Sequence, residues 1–542
     1  MTTKPRGAAL LRDPHLNRSG AFTEAEREKL GLLGLVPEAI ESEEIQIQRV
    51  LLQLERQPSD LDKYIYLSEL QDINETLYYH LLMSDPARFL PLVYTPTVGD
   101  ACLGFSRIIR HPKGLFVSIK WRGRVREILR NWPTRDVRFI VVTSGQRVLG
   151  LGDLGANAMG IPVGKLALYT AGAGVPPQVT LPVMMDCGTD NEALRRDPLY
   201  IGLRQPRPSV AELDDFVEEF VTAVQNEFPN CCIQFEDWGR ADALRLLARY
   251  RERVCCFNDD IQGSGAVVLA GILSALRITH GKLSEQTFLF LGAGSAGLGI
   301  AQILTQAIEL EGVSHEQARA RIWLFNSHGL VESNRDDLTD YQRPYAHRHA
   351  PTRDFAAAIQ SLKPTAIIGV STIAKAFGAP VIEAMARLNR RPIVFALSNP
   401  TSHSECTAEE AYSWSEGRAV FASGSPYPTV RYRDRTFVPG QCNNMNIFPA
   451  MGLAVYATKA RRITDEMFIA AARALAEQVT PADLEAGLIY PPQSAMLKTE
   501  VHVANRIAKV IFERDLARVK EPQELGAFIE SQIYRAEYRS LV

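Results

Sequence analysis

Apolar residues recur at helical spacing through much of the first hundred positions. "TEAEREKLGLLG" opens at Thr23 with Glu26 at capping-box spacing and closes at a glycine. "IESEEIQIQRVLLQLERQ" and "LDKYIYLSELQDINETLYYHLL" carry their apolar positions on one helical face. Proline and glycine then gather in "PLVYTPTVGD", which predicts a loop that holds Tyr94 and is stiffened by Pro91 and Pro96.

From about Lys113 the pattern alternates between short apolar runs and amphipathic stretches. "VRFIVVTSGQRVLGLGD" predicts two strands joined at Ser144-Gly145, and "MGIPVGKLALYTAGAG" a short helix entered through Pro162. "LPVMMDCGTDN" is a strand, and Ser209 with Glu212 caps the helix "VAELDDFVEEFVTAVQNEF". Strand "CCIQF", helix "ADALRLLARYRER" and strand "VCCF" follow. Such β-α-β alternation implies a parallel sheet. A second α/β unit begins with helix "AVVLAGILSALRITHG" and strand "TFLFLGAG". It continues through strands "RIWLFN", "TAIIGVS", "PIVFALSNP" and "AVFASGS". Helices return after "GQCNNMNIFPAMG". The fold class expected is α/β and multidomain: a helical N-terminal domain over residues 1–112, a parallel-sheet catalytic domain over 113–258, a Rossmann-type dinucleotide-binding domain over 259–444, and a C-terminal helical segment over 445–542 that packs back on the catalytic domain.

Composition narrows the class. The 542 residues are 46% hydrophobic and 23% charged, ordinary for a globular protein. A net charge of −2 gives no basic field for nucleic acid. Arg122, Arg124, Arg126, Arg130, Arg135 and Arg138 form a local basic stretch, read as a solvated face or subunit contact, with an anionic effector site as the alternative. The N-terminal residues lack a secretory apolar core, and no uninterrupted apolar run reaches the ~18 residues of a membrane span. "GAVVLAGILSAL" comes closest and reads as a buried helix. The eight cysteines include no C-x-x-C pair, which fits a reducing cytoplasm, and the scattered histidines argue against zinc.

Chemistry gathers at the strand ends. Glu236 and Asp237 follow "CCIQF"; Asn258, Asp259 and Asp260 follow "VCCF". Carboxylates converging at the C-terminal edge of a parallel sheet repel one another, and a hard divalent cation, Mg²⁺ or Mn²⁺, relieves that conflict. Solvated loop carboxylates are the alternative. In "FLFLGAGSAGLGIAQIL", Gly292, Gly294 and Gly297 fit G-x-G-x-x-G between a strand and a helix, the pattern that admits a pyrophosphate to a helix N-terminus. The next strand ends in Asn326, where an acidic residue would hold a ribose 2′-hydroxyl and repel a 2′-phosphate, so on residues alone NAD and NADP both stay open. Lys165 lies near the start of an apolar helix. Burial and the positive helix end both disfavour its ammonium, which makes it a candidate general base or, otherwise, a salt-bridged lysine. Arg147 suits a substrate carboxylate. Tyr94, Asn399, Asn443 and Asn444 gain meaning only if they face one cleft.

"VYTPTVG", "RVLGLGDLG", "GIPVGKLALYTAGAG", "QFEDWG", "FNDDIQGSGAVVLAG", "LGAGSAG", "LSNPTS" and "QCNN…IFPAMG" occur in the order seen in malic enzymes, and the chain resembles that family from about Asn17 to its C-terminal end. The likeness looks strongest to bacterial NAD-type members, with malolactic enzymes as near relatives. It implies oxidative decarboxylation of L-malate to pyruvate and CO₂, with NAD as cofactor and NADP as the alternative. The family's metal ligands fall on Glu236, Asp237 and Asp260, its lysine base on Lys165, its tyrosine acid on Tyr94, and its supporting carboxylate on Asp259. Substrate contacts fall on Arg147, Asn399, Asn443 and Asn444. Cofactor contacts fall on Arg147, Asp260, Ser295, Asn326 and Asn399 beside the three glycines. A cytoplasmic homodimer or homotetramer is the expected state, without nucleic-acid or membrane partners. The rival readings are a malolactic enzyme that releases lactate and an inactive nucleotide-binding paralogue.

Overall fold

The computed structural model describes residues 5–148 and 150–542. Met1–Lys4 of the N-terminus and Leu149 of the "RVLGLGDLG" stretch lie outside these residues.

Five strands form a first, wholly parallel sheet: β1 (Leu115–Ser118), β2 (Phe139–Thr143), β3 (Thr180–Asp186), β4 (Cys232–Glu236) and β5 (Cys256–Asn258). Their order is β1-β3-β2-β4-β5. Seven more form the second: β6 (Phe288–Leu291), β7 (Ile322–Asn326), β8 (Gly329–Leu330), β9 (Ala366–Gly369), β10 (Ile393–Ala396), β11 (Val420–Ser423) and β14 (Gly440–Gln441). That order is β14-β11-β10-β9-β6-β7-β8, parallel except at β7–β8. A separate hairpin pairs β12 (Val430–Tyr432) with β13 (Arg435–Phe437). Alternation of strand and helix with continuous apolar strands dictates this doubly covered arrangement.

Most elements follow the hydrophobic pattern, and both capping boxes form, Thr23 with Glu26 and Ser209 with Glu212. Three readings need correction. Among the described residues the region after β2 holds no second strand, only a bridge between Val148 and Gly152, where glycines break the extended run. The "GIPVGK" helix is not short: it runs from Gly160 to Ala173 and ends at Gly174 in the left-handed conformation. The "PLVYTPTVGD" loop shrinks to a three-residue link, Tyr94–Pro96, between helices Pro86–Val93 and Thr97–Leu103. A long apolar run upstream also divides: Asn74 ends one helix (Asp60–Ile73) and caps the next (Glu75–Ser84), accepting from the Leu77 amide at 3.0 Å.

The chain from Asp259 to Thr279 is long and apolar enough to cross a membrane, yet 78% of its most apolar window is buried within the protein, against the helices Ser295–Glu309 and Asp465–Glu477. All eight cysteines are free and buried. The basic stretch is largely paired on the surface: Arg124 with Glu127, and Arg126 and Arg130 with Glu227. Those two guanidiniums hold the Glu227 carboxyl down at about 2.

Two glycines set how closely the two sheet units meet. A Cβ on Gly299, in the helix Ser295–Glu309, would lie 2.5 Å from the Ile261 carbonyl oxygen, and one on Gly265 would lie 2.6 Å from Ile303. Gly299→Ala is therefore expected to destabilise the protein by about 1–3 kcal/mol, the usual cost of overpacking. A denaturant midpoint equal to that of the parent would contradict this packing.

Candidate active site

The sequence places its charged residues where the first sheet ends. β4 and β5 are parallel neighbours, with Phe235 opposite Asn258, so their C-terminal ends emerge side by side. The backbone bends sharply at both. Asp237 takes φ +53°, and its amide donates to Asp260 Oδ2 at 2.9 Å. After Asn258 the chain winds into one π-helical turn, Asp259–Gly263, stabilised as Asn258 Oδ1 accepts from the Ile261 amide at 3.1 Å. This turn resolves how two adjacent aspartates serve different partners. Asp259 turns inward to Lys165, while Asp260 turns toward Glu236 and Asp237. Ligand oxygens of Glu236, Asp237 and Asp260 all lie within 4.8 Å of one another.

Lys165 is 1% exposed. Its Nζ donates to Asp259 Oδ2, lies 2.8 Å from Glu236 Oε1, and sits 4.6 Å from the Phe448 ring centroid. Burial disfavours the ammonium, but Asp259 and Glu236 outweigh it and hold the lysine well above its ordinary value. This corrects the expectation of a lowered lysine pKa: burial does lower it, but the fold brings two carboxylates to Nζ that outweigh it. Glu236 is pushed well above the usual carboxyl range by burial and by Asp260 and Asp259. Asp260 is raised by lost hydration and Asp259. Four carboxylates against the Lys165 ammonium and the Arg147 guanidinium leave the cluster short of two positive charges. The all-oxygen donor set and that deficit fit one hard divalent cation.

Tyr94 reaches the same cleft through a close approach of helices. A Cβ on Gly164 would lie 2.9 Å from the Val93 carbonyl oxygen and 3.0 Å from Tyr94 Cδ2, so the residue before Lys165 must be small. The Tyr94 ring centroid is 5.8 Å from Lys165 Nζ, and burial drives its hydroxyl pKa upward. A cavity of about 190 Å³ is lined by Tyr94, Arg147, Lys165, Glu236, Asp237, Asp260, Ser295, Asn399, Asn443 and Asn444. Asn444 Nδ2 donates to the Asp259 carbonyl and carboxylate, both at 3.1 Å, which ties the asparagine segment to the acidic turn. Asn443 Oδ1 is engaged by the Met445 amide at 3.0 Å. Asp259 stands behind Lys165 rather than in the cavity wall, and Asn326 lies outside that wall as well.

The glycine loop meets the cavity from the second sheet. Gly292 adopts φ +123°, and a Cβ there would strike the Val370 carbonyl oxygen at 2.6 Å; a Cβ on Gly297 would strike the Gly292 carbonyl oxygen at 2.5 Å. A Cβ on Gly294 would meet only the Arg240 side chain, at an ordinary contact distance of 3.7 Å. That cradle, at the N-terminus of the helix Ser295–Glu309, fits a dinucleotide pyrophosphate. Arg147 Nη1 donates to Ser295 Oγ at 3.4 Å and joins the two sheet units. Asn326 Oδ1 accepts from the His328 amide at 2.9 Å and from Arg335 Nη1 at 3.0 Å.

Two cavity residues, and Arg240 beside the glycine loop, were not singled out by the motifs. Ser264 lines the cavity and hydrogen-bonds Asn444 at 3.3 Å. Thr372 lines it with φ +62°. Arg240 directly follows "QFEDWG"; it is exposed, has no hydrogen bond or ion pair among the described residues, and lowers the Arg147 pKa after burial. Its place one residue past an acidic motif was the only signal.

The acidic cluster, buried lysine and glycine cradle meet between two sheets, with a donor set that fits a divalent cation and a loop that fits a dinucleotide. The chain matches the family models "Malic enzyme, N-terminal domain" over residues 71–251 and "Malic enzyme, NAD binding domain" over residues 261–512. It is 49% identical to the NADP-dependent malic enzyme of Homo sapiens over 543 aligned positions, 100% of this chain and 95% of that protein. It is 48% identical to the chloroplastic NADP-dependent malic enzyme of Zea mays, covering 99% of this chain and 85% of that one. The solved malic enzyme of Pyrococcus horikoshii Ot3 superposes with a TM-score of 0.56 at 26% identity, covering 82% of this chain and 88% of that one. The Entamoeba histolytica malic enzyme shares the fold with a TM-score of 0.59 at 23% identity, covering 94% and 92% of the two chains. The chain belongs to the malic enzyme family.

Arg240 offers a test of the cradle. Arg240→Ala should weaken NADPH binding roughly tenfold, the scale of one hydrogen bond to a charged group. Fluorescence titration with an unchanged Kd would contradict a pyrophosphate seat between Arg240 and Gly294.

Proposed function

We propose that this protein oxidatively decarboxylates L-malate to pyruvate and CO₂ and reduces a nicotinamide dinucleotide. The observation that carries the reading is the arrangement in one cavity: Glu236, Asp237 and Asp260 face Lys165 and Tyr94 beside the glycine loop. A generic dinucleotide-binding dehydrogenase would leave that acidic cluster without a use, and an inactive paralogue would have no reason to keep the whole set.

Glu236, Asp237 and Asp260 would hold the divalent cation, and Asp260, Arg147, Ser295, Asn399 and the glycine loop the dinucleotide. When bound, the cation supplies Lewis acidity at the malate hydroxyl and carboxylate oxygens, and the dinucleotide accepts the hydride. Lys165 then moves the hydroxyl proton. Asp259 and Glu236, both at its Nζ, hold the lysine in place for that transfer. Arg147 pairs with a substrate carboxylate, and Asn399 with the Asn443–Asn444 pair orients the remaining polar groups. Decarboxylation leaves an enol, and Tyr94, packed against Lys165, delivers the proton to carbon.

NADP use is proposed alongside NAD. Neutral Asn326 does not repel a 2′-phosphate, and the relatives from Homo sapiens and Zea mays carry NADP in their names.

A steady-state assay with L-malate and Mn²⁺, comparing NAD with NADP and following pyruvate and lactate separately, tests the reading. Reduced cofactor and pyruvate in equal amounts are expected. Lactate without net reduced cofactor would replace the proposal with the malolactic reaction. Lys165→Ala should abolish malate oxidation while retaining cofactor binding. Removing the ammonium from buried carboxylates also costs about 3–5 kcal/mol, so the metal-free variant should melt earlier. Full activity in Lys165→Ala would remove Lys165 from proton transfer. Tyr94→Phe should slow enol protonation, and an unchanged rate of enolpyruvate tautomerisation would clear Tyr94 of that role.

A further inference from the structure

The acidic turn and the cofactor helix converge on one carboxylate outside the cavity. Asp465 opens the helix Asp465–Glu477 and is 9% exposed. Its Oδ1 accepts from Arg251 Nη2 at 2.6 Å and from Gln262 Nε2 at 2.8 Å. Its Oδ2 accepts from Gln302 Nε2 and Gln306 Nε2, each at 3.0 Å. Gln262 belongs to the π-helical turn that carries Asp259 and Asp260, whereas Gln302 and Gln306 lie on the helix that begins at the glycine loop.

An ionised carboxylate only accepts, so it forces every amide around it to present its NH₂ group. For Gln262 this fixes the opposite end: Oε1 points back and accepts from the Asn258 amide at 3.1 Å. Asn258 in turn holds the Ile261 amide at 3.1 Å, so the metal-facing turn is pinned at both ends. The positive end of its own helix stabilises the Asp465 charge. We infer that Asp465 is a positioning residue that sets the acidic turn and the dinucleotide helix in register with each other. It touches no substrate, and the inference rests on the metal and dinucleotide assignments proposed above.

Asn in place of Asp465 would bring one NH₂ against a glutamine NH₂. The side that meets the NH₂ must flip or let go, and the neutral oxygen left on the other side accepts more weakly than the carboxylate, so the Gln262 and the Gln302–Gln306 contacts both loosen. Mn²⁺ alone, followed by electron paramagnetic resonance of the free ion, reports on the turn; NADPH fluorescence reports on the helix. Asp465→Asn in the full chain should raise the Mn²⁺ Kd by about tenfold or more, the usual effect of losing a group that orients metal ligands. It should also weaken NADPH. Gln262→Met should weaken Mn²⁺ more than NADPH, and the double variant Gln302→Met/Gln306→Met should do the reverse. A merely structural Asp465 would lower Tm but leave both dissociation constants intact well below melting, and that result overturns the inference. Should Asp465→Asn not fold, a wild-type Mn²⁺ Kd in Gln262→Met overturns it equally. Parent protein that binds no Mn²⁺ fails the metal assignment itself; parent that binds Mn²⁺ beside an indifferent Asp465→Asn fails only the positioning role.

Discussion

A buried ammonium among buried carboxylates governs this structure. Lys165 stands between Asp259 and Glu236, and Asp237 and Asp260 lie just beyond. With all four carboxylates ionised, these groups alone are not electrically complete. Lys165 and Arg147 answer half of the negative charge, and the raised Glu236 and Asp260 pKa values express the remainder as a demand for cations. A cluster that is costly without a ligand is an effective binding site, since the ligand removes the cost.

Much of the surrounding architecture serves to hold that cluster at its pitch. Parallel pairing of β4 with β5 brings the two acidic segments together. The π-helical turn separates the directions of Asp259 and Asp260, which an extended chain would point to opposite faces anyway but not toward these partners. Gly164 allows the Tyr94 link to lie on the Lys165 helix, and Gly299 allows the dinucleotide helix to lie on the acidic turn. Through Asn444 and through Gln262, segments far along the chain are tied to the same turn.

The sheet elements were legible because buried parallel strands are short apolar runs bounded by polar ends. Glu236, Asp237, Asp260 and the three glycines stood out for a related reason: they lie in the polar or glycine-rich segments that follow such runs. Lys165 was legible as a buried lysine, but its charge state was not, because that depends on Asp259 and Glu236, which are far from it in sequence. Arg240 carries no local signal beyond adjacency to a motif, and Ser264, inside one, has no charge to set it apart. The second strand expected after β2 failed because glycine-rich segments mimic strand punctuation while lacking side chains to pack. The prolines of the Tyr94 segment suggest a loop, yet Pro91 lies inside the helix Pro86–Val93 and Pro96 caps the next helix, so the link contracts to three residues.

The central claim is that the acidic cluster is a divalent-cation site, and counting bound Mn²⁺ tests it most directly. Equilibrium titration should find one tight site per chain, with affinity lost in both Glu236→Gln and Asp260→Asn. Tight binding that survives both substitutions, or no binding by the parent protein, would contradict the account.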